Sequence, residues 1–352
     1  MKADSAPATT AGSLMETEIA AQPEVLRTLL AAGPEIRTLA EDITRRGPRF
    51  VLLAARGSSD HAALYAKYLV ETLLGLPAGL VSPSATTLYG ARQDLRDVLL
   101  VTVSQSGGSP DLVEVAATAR ERGAFTVAVT NTESSDLVSV TDAALPVRAG
   151  AERAVAATKT YTATLLALYL LVDALRGGRG ERAAPLGDLA DEVLAAAAAP
   201  VVDLASRLRF ADRLLAVGRG YSSATAAEAA LKLAETSYLL TRAYSAADLL
   251  HGPVAAVDTD TALLAVTSAG PGGTSTLETL EVVRARGPFV AAIGSAAASA
   301  LPDAGVELPV TSEEVAPVLE VLPAQLLALE LARARGADPD RPRGLNKVTR
   351  TR

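Results

Sequence analysis

Cysteine and tryptophan are both absent from the 352 residues, and each absence removes a class of function. Without cysteine these residues offer no disulfide, no thiolate metal ligand and no thiol nucleophile, a usage consistent with the reducing cytoplasm. Aromatic residues are only 3% of the chain, leaving few platforms on which single-stranded nucleic acid could stack. The formal net charge of −7 argues against any polyanionic partner, so no nucleic acid is expected. Long apolar runs are missing too. The longest mainly apolar stretch, residues 163–175, already contains Asp173 and stops at Arg176-Gly177-Gly178-Arg179-Gly180, short of the roughly 20 residues a spanning helix needs, so no membrane partner is expected. Residues 1–13 are polar, rich in Ala and Thr, and lack the apolar core of a secretion signal, so they read as a short disordered leader. What remains is a chain with 49% hydrophobic and 21% charged residues, able to fold and long enough for two lobes with a core each.

An internal repeat organises that length. Residues 50–55 (FVLLAA) form a buried-strand run that ends in Arg56-Gly57-Ser58-Ser59 and an apolar helical pattern; residues 214–217 end likewise in Gly218-Arg219-Gly220-Tyr221-Ser222 and a helix. The strand 98–103 ends in Ser104-Gln105-Ser106-Gly107-Gly108-Ser109, and its counterpart 262–266 in Thr267-Ser268-Ala269-Gly270-Pro271-Gly272-Gly273. The separation of Gly57 from Gly220 equals that of Val103 from Val266. A helix, an Arg-Gly pair and a further strand, 125–130 or 289–293, follow in each half.

Strands alternating with helices at this spacing predict right-handed βαβ units, hence an α/β fold with a mostly parallel sheet covered on both faces in each half. Such sheets carry binding loops at the C-terminal ends of their strands. The expected organisation is a leader (1–13), an N-terminal helical segment (14–46) broken near Gly33-Pro34, a first lobe (47–178), a linker and helix (179–208), a second lobe (209–336) and a tail (337–352). Residues 186–208 read as a helix packing on the second lobe. The tail holds five Arg or Lys residues and two prolines, and by propensity alone it is extended, basic and solvated.

The SQSGGS turn offers hydroxyls, an amide and free backbone N–H groups at a positive helix N-terminus, which suits a phosphate dianion. The plain alternative is that these residues cap a helix and shape a turn. No GxxxxGK[ST] is present and Gly218-Arg219-Gly220 lacks a third glycine, so a single phosphate fits better than a nucleotide. Glu228, Lys232 and Glu235 fall at i, i+4 and i+7, one helix face, where Glu228 and Lys232 can compensate each other. The plain alternative there is a solvated ion-pair face.

Taken in order, Met15-Glu16-Thr17-Glu18-Ile19 with Gln22-Pro23, Arg56-Gly57-Ser58-Ser59, Ser104-Gln105-Ser106-Gly107, Ala156-Ala157-Thr158-Lys159, Glu228 to Glu235 (EAALKLAE), Asp248-Leu249-Leu250-His251-Gly252-Pro253 and Leu345-Asn346-Lys347-Val348-Thr349 resemble the motifs of the sugar isomerase (SIS) family. The likeness covers nearly the whole chain and is greatest to the isomerase half of glucosamine-6-phosphate synthase and to stand-alone amino-sugar-phosphate deaminases. It implies two tandem SIS lobes, each a flavodoxin-like three-layer sandwich, followed by a C-terminal tail. It further implies that Ser104, Gln105, Ser106 and Ser109 hold a phosphate, with Ser59, Val155, Ala157 and Asn346 near the sugar. Glu235 would move a proton at C2, which calls for a carboxylate partly withdrawn from water. His251 would open the sugar ring, in a neighbouring subunit if the chain forms the expected homodimer. Lys347 would close over substrate, and Lys232 stands where family members can form a Schiff base, although Glu228 would keep it protonated. His61 is expected to cap or pack. No metal or organic cofactor is implied.

The departures shape the expected reaction. Without cysteine or an N-terminal glutaminase domain, this chain is not expected to draw ammonia from glutamine. Ala157, Thr164 and Asn346 replace residues usual in the synthase, so the sugar-contacting shell reads as altered around a retained phosphate turn. Gly108 followed by Ser109-Pro110-Asp111 resembles the deaminase branch. The first expectation is therefore isomerisation with deamination of glucosamine 6-phosphate. A dehydratase or lyase expelling the C3 hydroxyl from N-acetylglucosamine 6-phosphate, and a non-catalytic phosphosugar sensor, are the alternatives.

Overall fold

The structure, a computed structural model, describes residues 10–347. Three helices open the chain, α1 (Ser13–Ala20), α2 (Gln22–Ala31) and α3 (Gly33–Arg46). The break before α3 falls at Gly33-Pro34 as expected, with Pro34 in the first turn where its missing N–H costs nothing. A second break, at Ala21, had no forecast; Pro23 opens α2 in the same manner. The expected leader meets the structure only at residues 10–13, and there it is corrected. The Gly12 N–H donates to Asp338 and the Leu14 and Met15 N–H groups to Asp340, so the tail's aspartates cap α1. Residues 1–9 lie outside the described residues.

The first lobe runs β1 (Phe50–Ala54), α4 (Ser58–Leu69), β2 (Ala78–Leu80), α5 (Pro83–Thr87), β3 (Val98–Val103), α6 (Pro110–Glu121), β4 (Phe125–Thr130), α7 (Asp136–Val140) and β5 (Ala143–Pro146). Its sheet is wholly parallel in the order β2-β1-β3-β4-β5, with Phe50 opposite Val98 and Leu99 opposite Phe125. Helices α8 (Lys159–Leu175) and α9 (Leu186–Leu208) lead to the second lobe: β6 (Arg213–Gly218), α10 (Ser222–Ser237), β7 (Arg242–Ser245), α11 (Ala246–Leu250), β8 (Thr261–Val266), α12 (Pro271–Arg284), β9 (Phe289–Gly294), β10 (Ala304–Glu307) and α13 (Ala316–Ala334). Its sheet order, β7-β6-β8-β9-β10, repeats the first, the flavodoxin-like winding in each case. The repeat extends to backbone detail: Gly57 and Gly220 both take left-handed φ, 58° and 61°.

The inner faces of both sheets share one core. Val51, Leu53, Val101 and Val127 of the first sheet and Leu214 and Leu264 of the second belong to the same apolar cluster as α4, α8, α9 and α13. Every residue of α8 from Thr160 to Asp173 is buried, which explains an apolar run that is hydrophobic on all sides without being a membrane span. Among the described residues no helix is long and apolar enough to cross a membrane. Asp173, 2% exposed, is satisfied by Arg176 at 2.7 Å and the Gly180 N–H at 2.8 Å as the chain leaves α8. The expected helix 186–208 forms with those bounds and packs on α13 and β10, and also on α2. The outer faces are covered by α6 over Leu100 and Ala128, and by α12 over Leu263 and Val290.

Candidate active site

A cleft of about 330 Å3 opens at the C-terminal ends of β1 and β3, bounded opposite by α10 and above by the tail. Its lining includes Ser59, Ser104, Gln105, Ser106, Ser109, Val155, Ala157, Lys232, Glu235, Asn346 and Lys347, so eleven of the twelve expected site residues meet in one place. His251 is the exception.

The SQSGGS turn follows β3, whose apolar side chains pin it to the sheet. Gly107 adopts φ 61°, and a Cβ there would lie 2.2 Å from the Ser135 hydroxyl, so only glycine lets the turn close. Ser104 Oγ accepts the Gly107 N–H at 3.1 Å and Ser106 Oγ the Gly108 N–H at 3.3 Å, so part of the turn-shaping alternative holds. Ser109, at the N-cap of α6, makes no side-chain cap and lines the cleft, while Pro110 opens α6 without an N–H and the Leu112 N–H donates to the Ser109 carbonyl at 3.1 Å and to Asp111 Oδ1 at 2.9 Å. Arg56 also lines the cleft; its Nε donates at 2.8 Å to Asp111, whose side chain is 1% exposed. A cation held this way beside the turn is suited to a phosphate dianion.

Helix α10 presents three titratable groups on the side facing the cleft. Lys232 is 1% exposed and lies 2.5 Å from Glu235 Oε2 and 3.4 Å from Glu228 Oε1. Burial opposes its charge, but the two carboxylates outweigh burial and raise its pKa, so it is an ammonium and not a free amine. The expected compensation of Glu228 by Lys232 is present, yet the closer partner is Glu235. Glu228 is wholly buried and takes its shorter bond, 2.8 Å, from Nδ1 of His61 across the lobe boundary. The solvated-face alternative fails: of the three, only Glu235 keeps appreciable exposure, 23%, and it lines the cleft beside the nearly buried Lys232.

The tail ends the described chain inside the cleft. Lys347 Nζ lies 2.7 Å from Oε2 of Glu152, a residue with no exposed side-chain surface that sequence reasoning missed. Glu152 also accepts the Thr158 N–H (3.0 Å), the Thr160 N–H (3.1 Å) and the Thr160 hydroxyl (2.7 Å), so one carboxylate caps α8 and anchors the tail. Burial pushes it up, but Lys347 and these donors hold it below the ordinary glutamate range. Glu18 of α1 accepts the Arg153 and Ala154 N–H groups, which fixes the strand of backbone leading to Val155 and Ala157. Burial raises the Glu18 pKa against those bonds.

Three residues lie elsewhere. His251 ends α11, is exposed, and bonds only through its backbone to Asp248. Thr164 is buried in α8 with its hydroxyl on the Thr160 carbonyl, so it is not part of the cleft shell, which corrects that reading of its substitution. His61 opens onto a separate hollow with Asp60, Leu231 and Arg242. In the second lobe, the turn corresponding to SQSGGS is filled from within: Glu313 accepts the Gly272 N–H at 2.7 Å and packs against Gly270, and buried Glu320 accepts the hydroxyls of Ser268, Ser222 (2.7 Å) and Thr225 (2.8 Å).

This duplicated architecture recurs in known proteins. The SIS domain is found twice, over residues 47–174 and 207–335. The chain belongs to the SIS family. It is 37% identical to the glutamine–fructose-6-phosphate aminotransferase (isomerizing) of Pyrobaculum aerophilum, over 95% of this chain and 57% of that protein. This SIS chain therefore spans a little over half the length of that relative. Among solved structures, it is similar to the C-terminal domain of glucosamine-fructose-6-phosphate aminotransferase from Francisella tularensis, at 25% identity and TM-score 0.82, covering 95% of this chain and 99% of that one. The glucosamine-6-phosphate deaminase of Thermotoga maritima shares the fold, at 22% identity and TM-score 0.76, covering 96% and 100%.

Proposed function

We propose that this SIS chain is a cofactor-free enzyme acting on an amino-sugar 6-phosphate, converting glucosamine 6-phosphate into fructose 6-phosphate and ammonia. The observation that carries the reading is the opposition, across one cleft, of a serine turn at a helix N-terminus and a glutamate clamped by a buried ammonium. The phosphate sits on Ser104, Gln105, Ser106 and Ser109, and the reacting end of the sugar faces α10. In the open-chain sugar, Glu235 removes the C2 proton, made acidic by the adjacent aldehyde, and returns it to C1. As O1 takes up a proton and the C2 amine gives one up, the product is a 2-imine, which water hydrolyses to the ketone with release of ammonia. Lys232 and Lys347 stabilise the negative charge that builds on the C1 oxygen during transfer. Because Lys232 is held as an ammonium, its role is charge and not Schiff-base formation. Ring opening falls to His251 of a second copy in a homodimer. The SIS relatives named as aminotransferases of fructose 6-phosphate support this substrate class.

The test mixes purified protein with glucosamine 6-phosphate and, separately, with N-acetylglucosamine 6-phosphate, and follows ammonia, fructose 6-phosphate and ultraviolet absorbance, with Glu235→Gln as control. Ammonia with fructose 6-phosphate, lost in the variant, supports the deaminase. A new chromophore from the acetylated sugar without ammonia replaces it with the dehydratase. Thermal stabilisation by both sugars with no turnover replaces it with a sensor.

A further inference from the structure

Lys232 carries one positive charge and faces two carboxylates on its own helix. Nothing in the i, i+3 and i+4 spacing decides which it joins, since Glu228 and Glu235 are both within reach. Burial makes the wrong choice expensive: a charge withdrawn from water needs a partner, and Glu228, wholly buried, needs one more than Glu235, which keeps 23% of its side-chain surface. Left to α10 alone, the ammonium would settle on Glu228. The structure shows the reverse, 2.5 Å to Glu235 and 3.4 Å to Glu228. What differs at Glu228 is a second donor. His61, projecting from α4 of the other lobe, places Nδ1 2.8 Å from Glu228 Oε2. His61 itself does not touch the cleft; it borders the separate hollow on the far side of this contact.

We propose that His61 is a positioning residue for the base: by donating to Glu228 from the opposite lobe, it frees the Lys232 ammonium to sit on Glu235 at the cleft. This rests on Glu235 being the base. The role also couples the lobes, because the donor belongs to the half that binds phosphate and the acceptor to the half that moves the proton. A displacement of α4 against α10 would therefore reach Glu235 through two side chains.

The test uses two variants of the full chain. His61→Phe keeps a planar ring and removes the donor; His61→Asn keeps a donor close to the Nδ1 position. Crystal structures of both report where Lys232 lies, and exchange of the C2 hydrogen of the sugar phosphate with deuterated water reports kcat and KM. In His61→Phe, Lys232 is expected to move onto Glu228, with kcat lowered about 10- to 100-fold, the scale of an ångström-sized misplacement, and KM within about twofold because the Ser104–Ser109 turn is untouched. His61→Asn is expected to keep the Lys232–Glu235 pair and most of kcat. Lys232 still on Glu235 in His61→Phe would overturn the proposal, as would equal loss in KM and kcat. If the unaltered protein exchanges no C2 hydrogen, the base assignment fails by itself, and the position of Lys232 in the two crystal structures still decides the role of His61.

Discussion

Replacing Lys347 by Met tests whether the tail is held in the cleft by a buried charge. The variant keeps most of the side chain's apolar stem and removes the ammonium, leaving the Glu152 carboxylate wholly buried with three neutral donors. Removing one partner of a buried ion pair costs about 3–5 kcal/mol. Here the loss is smaller, because Lys347 keeps 24% of its side-chain surface and the three donors remain; about 2 kcal/mol follows. Urea unfolding followed by circular dichroism at pH 7.5 measures it. Glu152→Gln needs no counter-ion, so the double variant should recover at least half of the loss, a coupling of about 1 kcal/mol. The pH dependence has a fixed sign. The carboxyl of Glu152 is held below its unfolded value, so its contribution is complete at neutral pH and is lost as pH falls from about 4.3, the unfolded glutamate value, through the folded one. In Lys347→Met the folded value rises toward the unfolded one, so the acid loss is smaller and is complete at higher pH. A single variant within about 0.5 kcal/mol of the unaltered protein, together with zero coupling, would refute the reasoning.

Further outcomes follow from the same geometry. Gly107→Ala places a Cβ against Ser135 in a left-handed backbone and should destabilise the chain by about 2 kcal/mol or more, with phosphate affinity weakened by isothermal titration calorimetry. Burial, against three hydroxyl donors, raises the pKa of Glu320 above its unfolded value; its favourable contribution is therefore present in acid and is lost as pH rises through the folded value. Glu320→Gln should then flatten the fall in melting temperature that this residue imposes as pH rises above about 4.3, the unfolded glutamate value, measured by calorimetry. Asp340→Ala removes the acceptor for two N–H groups of α1 and should cost about 1 kcal/mol, with faster tryptic cleavage after Arg343 as the tail loosens.

The sequence disclosed whatever depends on neighbours along the chain. Residues 98–103 and 125–130 are continuous apolar runs because both faces of the sheet are covered, and β3 and β4 occupy those residues. The SQSGGS turn is contiguous, so its hydroxyls and glycines read together. Strands β2 and β7, three and four residues long with no fully buried member, carry no such run. The site's electrostatics were hidden for a related reason. Glu152 meets Lys347 across 195 positions and His61 meets Glu228 across 167, and neither pair has a local pattern. Helical spacing put Lys232 beside Glu228 but could not rank it against Glu235, because that ranking depends on a residue from the other lobe.

The self-filled turn of the second lobe sets the two halves on different terms with the solvent. Its backbone donors already hold a carboxylate, supplied by Glu313 from the same chain, so that half reaches its finished form as soon as it folds. The first half keeps Ser104, Ser106 and Ser109 on the wall of an open cleft, with no carboxylate of its own chain among the described residues filling the turn. One architecture occurs twice, and a glutamate sets the copies apart: one turn stands open to the cleft, while the other is occupied by its own chain in the lobe that carries α10.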